Sequence, residues 1–297
     1  MSSLADHTAR PRRSVLYMPG SNPRALEKGR TLPADALILD LEDAVAPDAK
    51  EAARENILSA LAQGGYGKRE IVVRVNGLET PWGAGDISAM AKSGADAILL
   101  PKVDGPGQVK DLAQRMADAG APDGMTIQVM VETPLGVLNA GAIAAASPRL
   151  SCLVLGTSDL VKDLRAAHTP ERLPVLTALS LSVLAARAHG KAVVDGVHLD
   201  LSDEEGFEAA CRQGRELGFD GKTLIHPKTI EAANRLFAPD EEVIAGSQKI
   251  IAAHAEASDA GQGVVVVEGK LIENLHVENA QRLIALKAAI DALAEDN

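Results

Sequence analysis

The chain has 297 residues, room for one large domain or for a barrel of roughly 250 residues with an appendage. It carries 41 acidic against 30 basic side chains, a net charge of −11, and only 2% aromatics. That leaves no basic footprint for nucleic acid and few rings for base stacking, so no nucleic-acid partner is expected.

The residues Met1 to Arg13 are polar and Arg-containing, with no apolar stretch. They read as a loosely packed or disordered arm rather than a signal peptide. Short apolar runs then alternate with longer amphipathic stretches. The first run is Ser14–Met18, closed by Pro19-Gly20 and followed by a helix-like stretch, Asn22–Thr31. The second, Ala36–Leu41, ends in Glu42-Asp43, and Pro47 opens a helix over Asp48–Ala62. Six further runs follow: Ile71–Val75, Ala97–Leu100, Thr126–Val131, Leu150–Leu155, Lys191–Val194 and Lys222–Ile225. Apolar runs without alternation suit parallel strands buried on both faces. Eight βα repeats point to an α/β fold, a closed (β/α)₈ TIM barrel over 12–237, ahead of a doubly wound sheet. No Gly-x-Gly-x-x-Gly follows the first strand to support the latter.

From 238 to 297 the pattern changes. Asp240–Ala257 reads as a helix and Gly261-Gln262-Gly263 as a turn. Val264–Val267 and Lys270–Ile272 read as a hairpin closed by Glu268-Gly269, and His276–Leu293 as a final helix. This helix–hairpin–helix extension is expected to be a lid or an arm that docks on a neighbouring subunit. No apolar run reaches the ~20 residues of a membrane span, so no membrane partner is expected. Cys152 and Cys211 lack metal-type spacing and are expected to be buried free thiols in a reducing cytoplasm.

In such a barrel the chemistry sits where strands end. Here Glu42 and Asp43, Arg74 and Asn76, Lys102, Glu132, Asp159, Asp195 and His198, and His226 stand at or just after successive strand ends. Glu132 and Asp159 follow neighbouring strands, which lie ~4.8 Å apart, so both carboxylates can converge on one cation. Oxygen ligands favour Mg²⁺ over Zn²⁺. The alternative is that these carboxylates cap the helices after them, Asp159 above all. Arg74 ends an apolar strand and is shaped for a carboxylate, either a ligand's or that of Glu42 or Asp43. Lys102 suits an ion pair or a ligand contact equally. Pro19-Gly20-Ser21-Asn22 could cradle an anion, with Arg24 and Lys28 on one helical face beside it. No Gly-x-Ser-x-Gly elbow and no Walker A motif is present.

The segments Arg13-Ser14-Val15-Leu16-Tyr17-Met18-Pro19-Gly20, Leu39-Asp40-Leu41-Glu42-Asp43-Ala44-Val45 and Arg74-Val75-Asn76 together carry a resemblance. Leu100-Pro101-Lys102, Val131-Glu132-Thr133-Pro134, Gly156-Thr157-Ser158-Asp159-Leu160 and Gly221-Lys222-Thr223-Leu224-Ile225-His226-Pro227 continue it in order. Over about residues 12–292 the chain resembles the citrate lyase β-subunit-like (CitE-like) family of the HpcH/HpaI aldolase superfamily. The resemblance implies a barrel, usually trimeric or hexameric, with Mg²⁺ (or Mn²⁺) held by Glu132 and Asp159. It implies that Arg74 grips the carboxylate of a small 2-oxoacid. Glu42, Lys102, Arg24, Lys28 and Thr157 are the further substrate-binding candidates and Asp43 a catalytic candidate. Family lyases cleave malyl-CoA, citramalyl-CoA or relatives into an acyl-CoA and a 2-oxoacid, and some members hydrolyse the thioester. In malyl-CoA lyase-type members a base is supplied by an adjacent subunit from a Met-Ile-Asp stretch. The matching stretch here is Lys270-Leu271-Ile272-Glu273-Asn274-Leu275, so Glu273 stands where Asp is expected. Carbon–carbon cleavage is the leading expectation and (3S)-malyl-CoA thioesterase the close alternative. A citrate lyase β subunit and a non-catalytic CoA-ester-binding barrel stand further back.

Overall fold

The computed structural model describes residues 10–259 and 264–295. They form two units, one from Arg12 to Phe237 and one from Ala238 into the last helix. The first is a closed barrel of eight parallel strands in sequence order. The strands are β1 (Ser14–Pro19), β2 (Ala36–Asp40), β3 (Glu70–Arg74), β4 (Ala97–Leu100), β5 (Thr126–Val131), β6 (Leu150–Leu155), β7 (Ala192–Asp195) and β8 (Gly221–Leu224). Between them run α1 (Pro23–Gly29), α2 (Lys50–Gln63), α3 (Gly83–Met90), α4 (Pro106–Asp118), α5 (Pro134–Leu138), α6 (Ala140–Ala144), α7 (Thr157–Asp163), α8 (Leu176–Ala188) and α9 (Glu204–Leu217). α10 (Ile230–Phe237) follows the last strand.

Side chains alternate across each strand, so every second residue faces the lumen. Val15, Ala36, Ile38, Val72, Leu99, Met130, Val154 and Val194 form that inner layer, and the thiol-bearing Cys152 belongs to it. The opposite positions, such as Leu16, Leu37, Val73 and Leu153, join the larger core under the helices. Each fully buried Leu, Ile or Val there contributes about 1.5–3 kcal/mol. Both cysteines are free and buried, and burial pushes the Cys152 thiol up to about 12.

One sequence expectation fails at the barrel's N-terminal end. Arg12 and Arg13 are not loose. Arg12 is 3% exposed and bonded to Glu70 at the start of β3, at 2.5 and 2.7 Å. Gln128 of β5 donates to the same carboxylate at 3.2 Å. Arg13 pairs with Asp35 at 2.8 Å. A buried carboxylate needs a paired cation, and in this fold the arm supplies it.

In the second unit α11 (Glu241–Asp259) packs against α12 (Asn274–Glu295). β9 (Val265–Val267) and β10 (Lys270–Ile272) pair antiparallel, as their turn chemistry predicts. Glu268 and Gly269 both adopt positive φ, 48° and 79°, the conformation a two-residue hairpin turn needs. The expected Gly261-Gln262-Gly263 turn lies outside the described residues. Among the described residues no helix is long and apolar enough to cross a membrane.

Candidate active site

Inner-layer parity carries the site. Going up the lumen by twos, Ala36 and Ile38 lead to Asp40, Val72 leads to Arg74, Val15 to Tyr17, and Met130 to Glu132. The strand register sets Asp40 directly opposite Arg74. Their side chains meet in a bidentate pair, Arg74 Nε to Asp40 Oδ1 at 2.7 Å and Nη2 to Oδ2 at 2.6 Å. The guanidinium also lies over the Tyr17 ring, 4.8 Å from its centroid. Its remaining nitrogen, Nη1, is 3.0 Å from Glu42 and 4.0 Å from Asp43. The two-pronged face of Arg74 is therefore turned to Asp40, a partner the sequence reading passed over. Burial works against the charge on Arg74, but the Asp40 hydrogen bonds and the surrounding anions hold it firmly protonated.

Asp40 has a second task. It accepts from the N–H groups of Glu42 at 2.9 Å and Ala44 at 3.1 Å, folding the chain after β2 into a turn. Lys50 holds the same turn from α2, donating to the carbonyls of Leu41 and Glu42 at 2.9 and 2.8 Å. Its ammonium lies 5.3 Å from the centre of the Trp82 ring. Asn76 donates to the Leu41 carbonyl and to Asp86, which in turn pairs with Arg54. These contacts fix where Glu42 and Asp43 emerge. Lys102 closes the group, 2.5 Å from Glu42 and 3.5 Å from Asp43. Burial raises Glu42 against the pull of Arg74 and Lys102. Burial also works against Asp43, but its hydrogen bond with Glu42 and the cations Lys102 and Arg74 keep it below the ordinary carboxylate range. The pair is pushed apart, as acid–base partners often are.

Lys102 is held in the left-handed region, φ 51°, a strained setting for a residue with a Cβ. That twist aims its backbone N–H at Glu132 Oε1, 2.8 Å away. Glu132 is 1% exposed. Burial lifts it to about 7, with the Lys102 N–H and Arg74 opposing and Asp159 adding to the rise. Its carboxylate rests against Gly156, where a Cβ would stand 2.2 Å from Oε2, so a bare backbone is required there. Asp159 is in the first turn of α7; the cap residue is Gly156 and no side chain caps the helix, so Asp159 is not an N-cap.

A cavity of about 320 Å³ joins these groups. Tyr17, Asp40, Asp43 and Arg74 line it from β1–β3, and Glu132, Thr157, Ser158, Asp159 and Val197 from β5–β7. Five of the sequence-predicted residues, Arg74, Asp43, Glu132, Asp159 and Thr157, thus share one space, with Glu42 and Lys102 bonded to its wall. Arg24 and Lys28 are exposed on α1 and do not line the cavity, and Asn22 uses its side chain to cap that helix. Asp195 is buried, bonded to Lys222 and Arg172. His226 caps a short turn. Glu273 is exposed in the second unit, its carbonyl accepting from His276 at the start of α12. Tyr17, Asp40 and Lys50 were missed. Parity from Ala36 and Ile38 is the signal that could have found Asp40.

Residues 13–227 match the model of the HpcH/HpaI aldolase/citrate lyase family. A (3S)-malyl-CoA thioesterase of Cereibacter sphaeroides is 49% identical over 96% of this chain and 98% of its own. The citrate lyase β subunit of Leuconostoc mesenteroides subsp. cremoris is 40% identical over 94% of each chain. A solved structure of CitE from Mycobacterium tuberculosis, in complex with magnesium, acetoacetate and coenzyme A, is 27% identical with a TM-score of 0.73. That match covers 95% of this chain and 99% of the other.

Proposed function

We propose, for a chain that belongs to the HpcH/HpaI aldolase/citrate lyase family, a Mg²⁺-dependent enzyme that hydrolyses a small 3-hydroxyacyl-CoA thioester of the malyl-CoA type. The observation that carries this reading is the convergence of Arg74, Asp43, Glu132 and Asp159 on one cavity. The thioesterase relative, matched over nearly its whole length, supports the substrate class.

The residues fit the metal. Glu132 is a buried carboxylate raised by burial and by a second carboxylate, which is the environment a bound cation relieves. Among the described residues no group of three or more His, Cys, Asp or Glu is assembled for a metal. Two carboxylates with water and substrate oxygens suit Mg²⁺, and Mn²⁺ accepts the same donors. Bound there, the ion supplies polarisation of a substrate oxygen.

The protein's own groups do the rest. Arg74 offers Nη1 to a substrate oxygen while Asp40 and Tyr17 hold its plane. Asp43, kept anionic, is the group within the cavity able to take a proton from water. Water adds to the thioester carbon, the C–S bond breaks, and CoA leaves as thiol with malate or a 2-substituted malate as the acid product. Glu273 is a second candidate base, supplied by a neighbouring subunit of a homotrimer or homohexamer. Arg24 and Lys28 are candidates for the CoA phosphates. A cytoplasmic location fits the two reduced thiols.

A second reading, cleavage of the C–C bond to acetyl-CoA and glyoxylate, is favoured by the citrate lyase relative. Product analysis with (3S)-malyl-CoA and Mg²⁺ separates the two. Free thiol without glyoxylate is expected; glyoxylate without thiol would establish the lyase instead.

A further inference from the structure

A second cavity of about 360 Å³ meets the first at Thr157 and Val197, which line both. It lies on the β6–β7 side, and neither Arg74 nor Asp43 lines it. Its walls are mostly apolar, with Val161, Val175, Leu199 and Ala210 among them. Two buried polar atoms on those walls make no hydrogen bond, Thr169 Oγ1 and His198 Nε2, the latter 3.7 Å from the Asp203 carboxylate. Native proteins rarely leave such atoms unsatisfied unless a ligand or water serves them. An apolar pocket with a few converging polar groups is the usual form of a small-molecule subsite.

We infer that this cavity receives the third substituent on the hydroxyl-bearing carbon of the substrate, an aliphatic chain longer than methyl that ends in a neutral oxygen. The inference rests on the proposed function, in which Glu132 and Asp159 hold the ion that polarises a substrate oxygen; with the hydroxyl of that carbon as this oxygen, its third substituent has the opening at Thr157 and Val197 within reach. The apolar walls take the chain, and His198 and Thr169 take its terminal oxygen. A second carboxylate is disfavoured, because Asp200 and Asp203 stand on the same wall. Arg172 does not offset them, since it is committed to buried Asp195 at 2.6 and 2.9 Å.

Calorimetry tests this with 2-oxoacids, which carry the same carbon, in the presence of Mg²⁺. From glyoxylate through pyruvate and 2-oxobutyrate to 2-oxopentanoate, affinity is expected to rise about fourfold for each methylene buried. Val197→Trp, and separately Leu199→Trp on the exposed loop, are expected to flatten the rise. 2-Oxoglutarate is expected to bind more weakly than 2-oxopentanoate. If glyoxylate and pyruvate bind but longer chains gain nothing, the inference is overturned and the proposed function stands. A rise that survives both substitutions, or tighter binding of 2-oxoglutarate, also overturns it. If no 2-oxoacid binds with Mg²⁺, the inference is overturned, while the hydrolytic reading, which neither consumes nor forms a 2-oxoacid, is decided by the thiol assay with (3S)-malyl-CoA.

Discussion

The two ends of the barrel lumen use the same chemistry to opposite effect. At the N-terminal end Arg12 and Glu70 meet in a buried bidentate pair, and Gln128 occupies the same carboxylate. At the C-terminal end Arg74 and Asp40 meet in a pair of the same kind, yet the surrounding carboxylates Glu132, Asp159 and Asp43 face a cavity. The first pair completes the packing of the lumen. The second leaves acids whose protonation and coordination remain open to a ligand. Charge inside a barrel is structural or functional according to whether its neighbours are fully committed.

The largest effect is expected at the closed end. Arg12→Met leaves Glu70 buried without its cation and is expected to cost about 3–5 kcal/mol of stability. Urea denaturation measures it, and a loss below about 1 kcal/mol would show that the pair is not as dry as it looks. The open end is probed by pH. In chelator, Glu132 rises from 4.5 unfolded to about 7 folded, so the native chain keeps a proton that the unfolded chain has released. Stability therefore falls as pH climbs from about 4.5 to about 7, by up to about 3 kcal/mol, and is level above. Glu132→Gln is expected to remove that slope, and an unchanged slope would assign it elsewhere.

Arg74→Lys keeps the charge and loses the plane. It is expected to lower kcat/KM on the order of 10²-fold, as small misplacements at reacting centres do. Wild-type kinetics would remove Arg74 from the site. The smallest effect concerns backbone strain. Lys102→Gly is expected to be about 1 kcal/mol more stable than Lys102→Ala, because Gly accepts the positive φ. Equal stability of the two variants would mean that the twist is not strained.

Much of the fold was legible because the strands are buried on both faces and so read as unbroken apolar runs. Their polar ends led to a cavity that Arg74, Glu132 and Asp159 line together. What escaped was long-range pairing. Arg12 is 58 residues from Glu70, and nothing local announces the bond. Asp40 was read within the run Ala36–Leu41, though the strand ends at Asp40 and turns it inward. Lys50 looked like one more charge at a helix start, whereas it clamps the turn bearing Glu42 and Asp43. Strand composition is a local property; register and side-chain reach are not.

The bare backbone at Gly156 offers a steric handle on chemistry it does not perform. A single methyl group at that position would overlap both the carboxylate and the Cβ of Glu132. Gly156→Ala therefore evicts an acid while leaving its sequence position, its charge and its pairing strand intact. Tolerance at residue 156 is thereby coupled to the presence of a side chain at residue 132: Asp would keep the Cβ that a methyl group at 156 meets at 2.4 Å, and only the loss of that Cβ would make room.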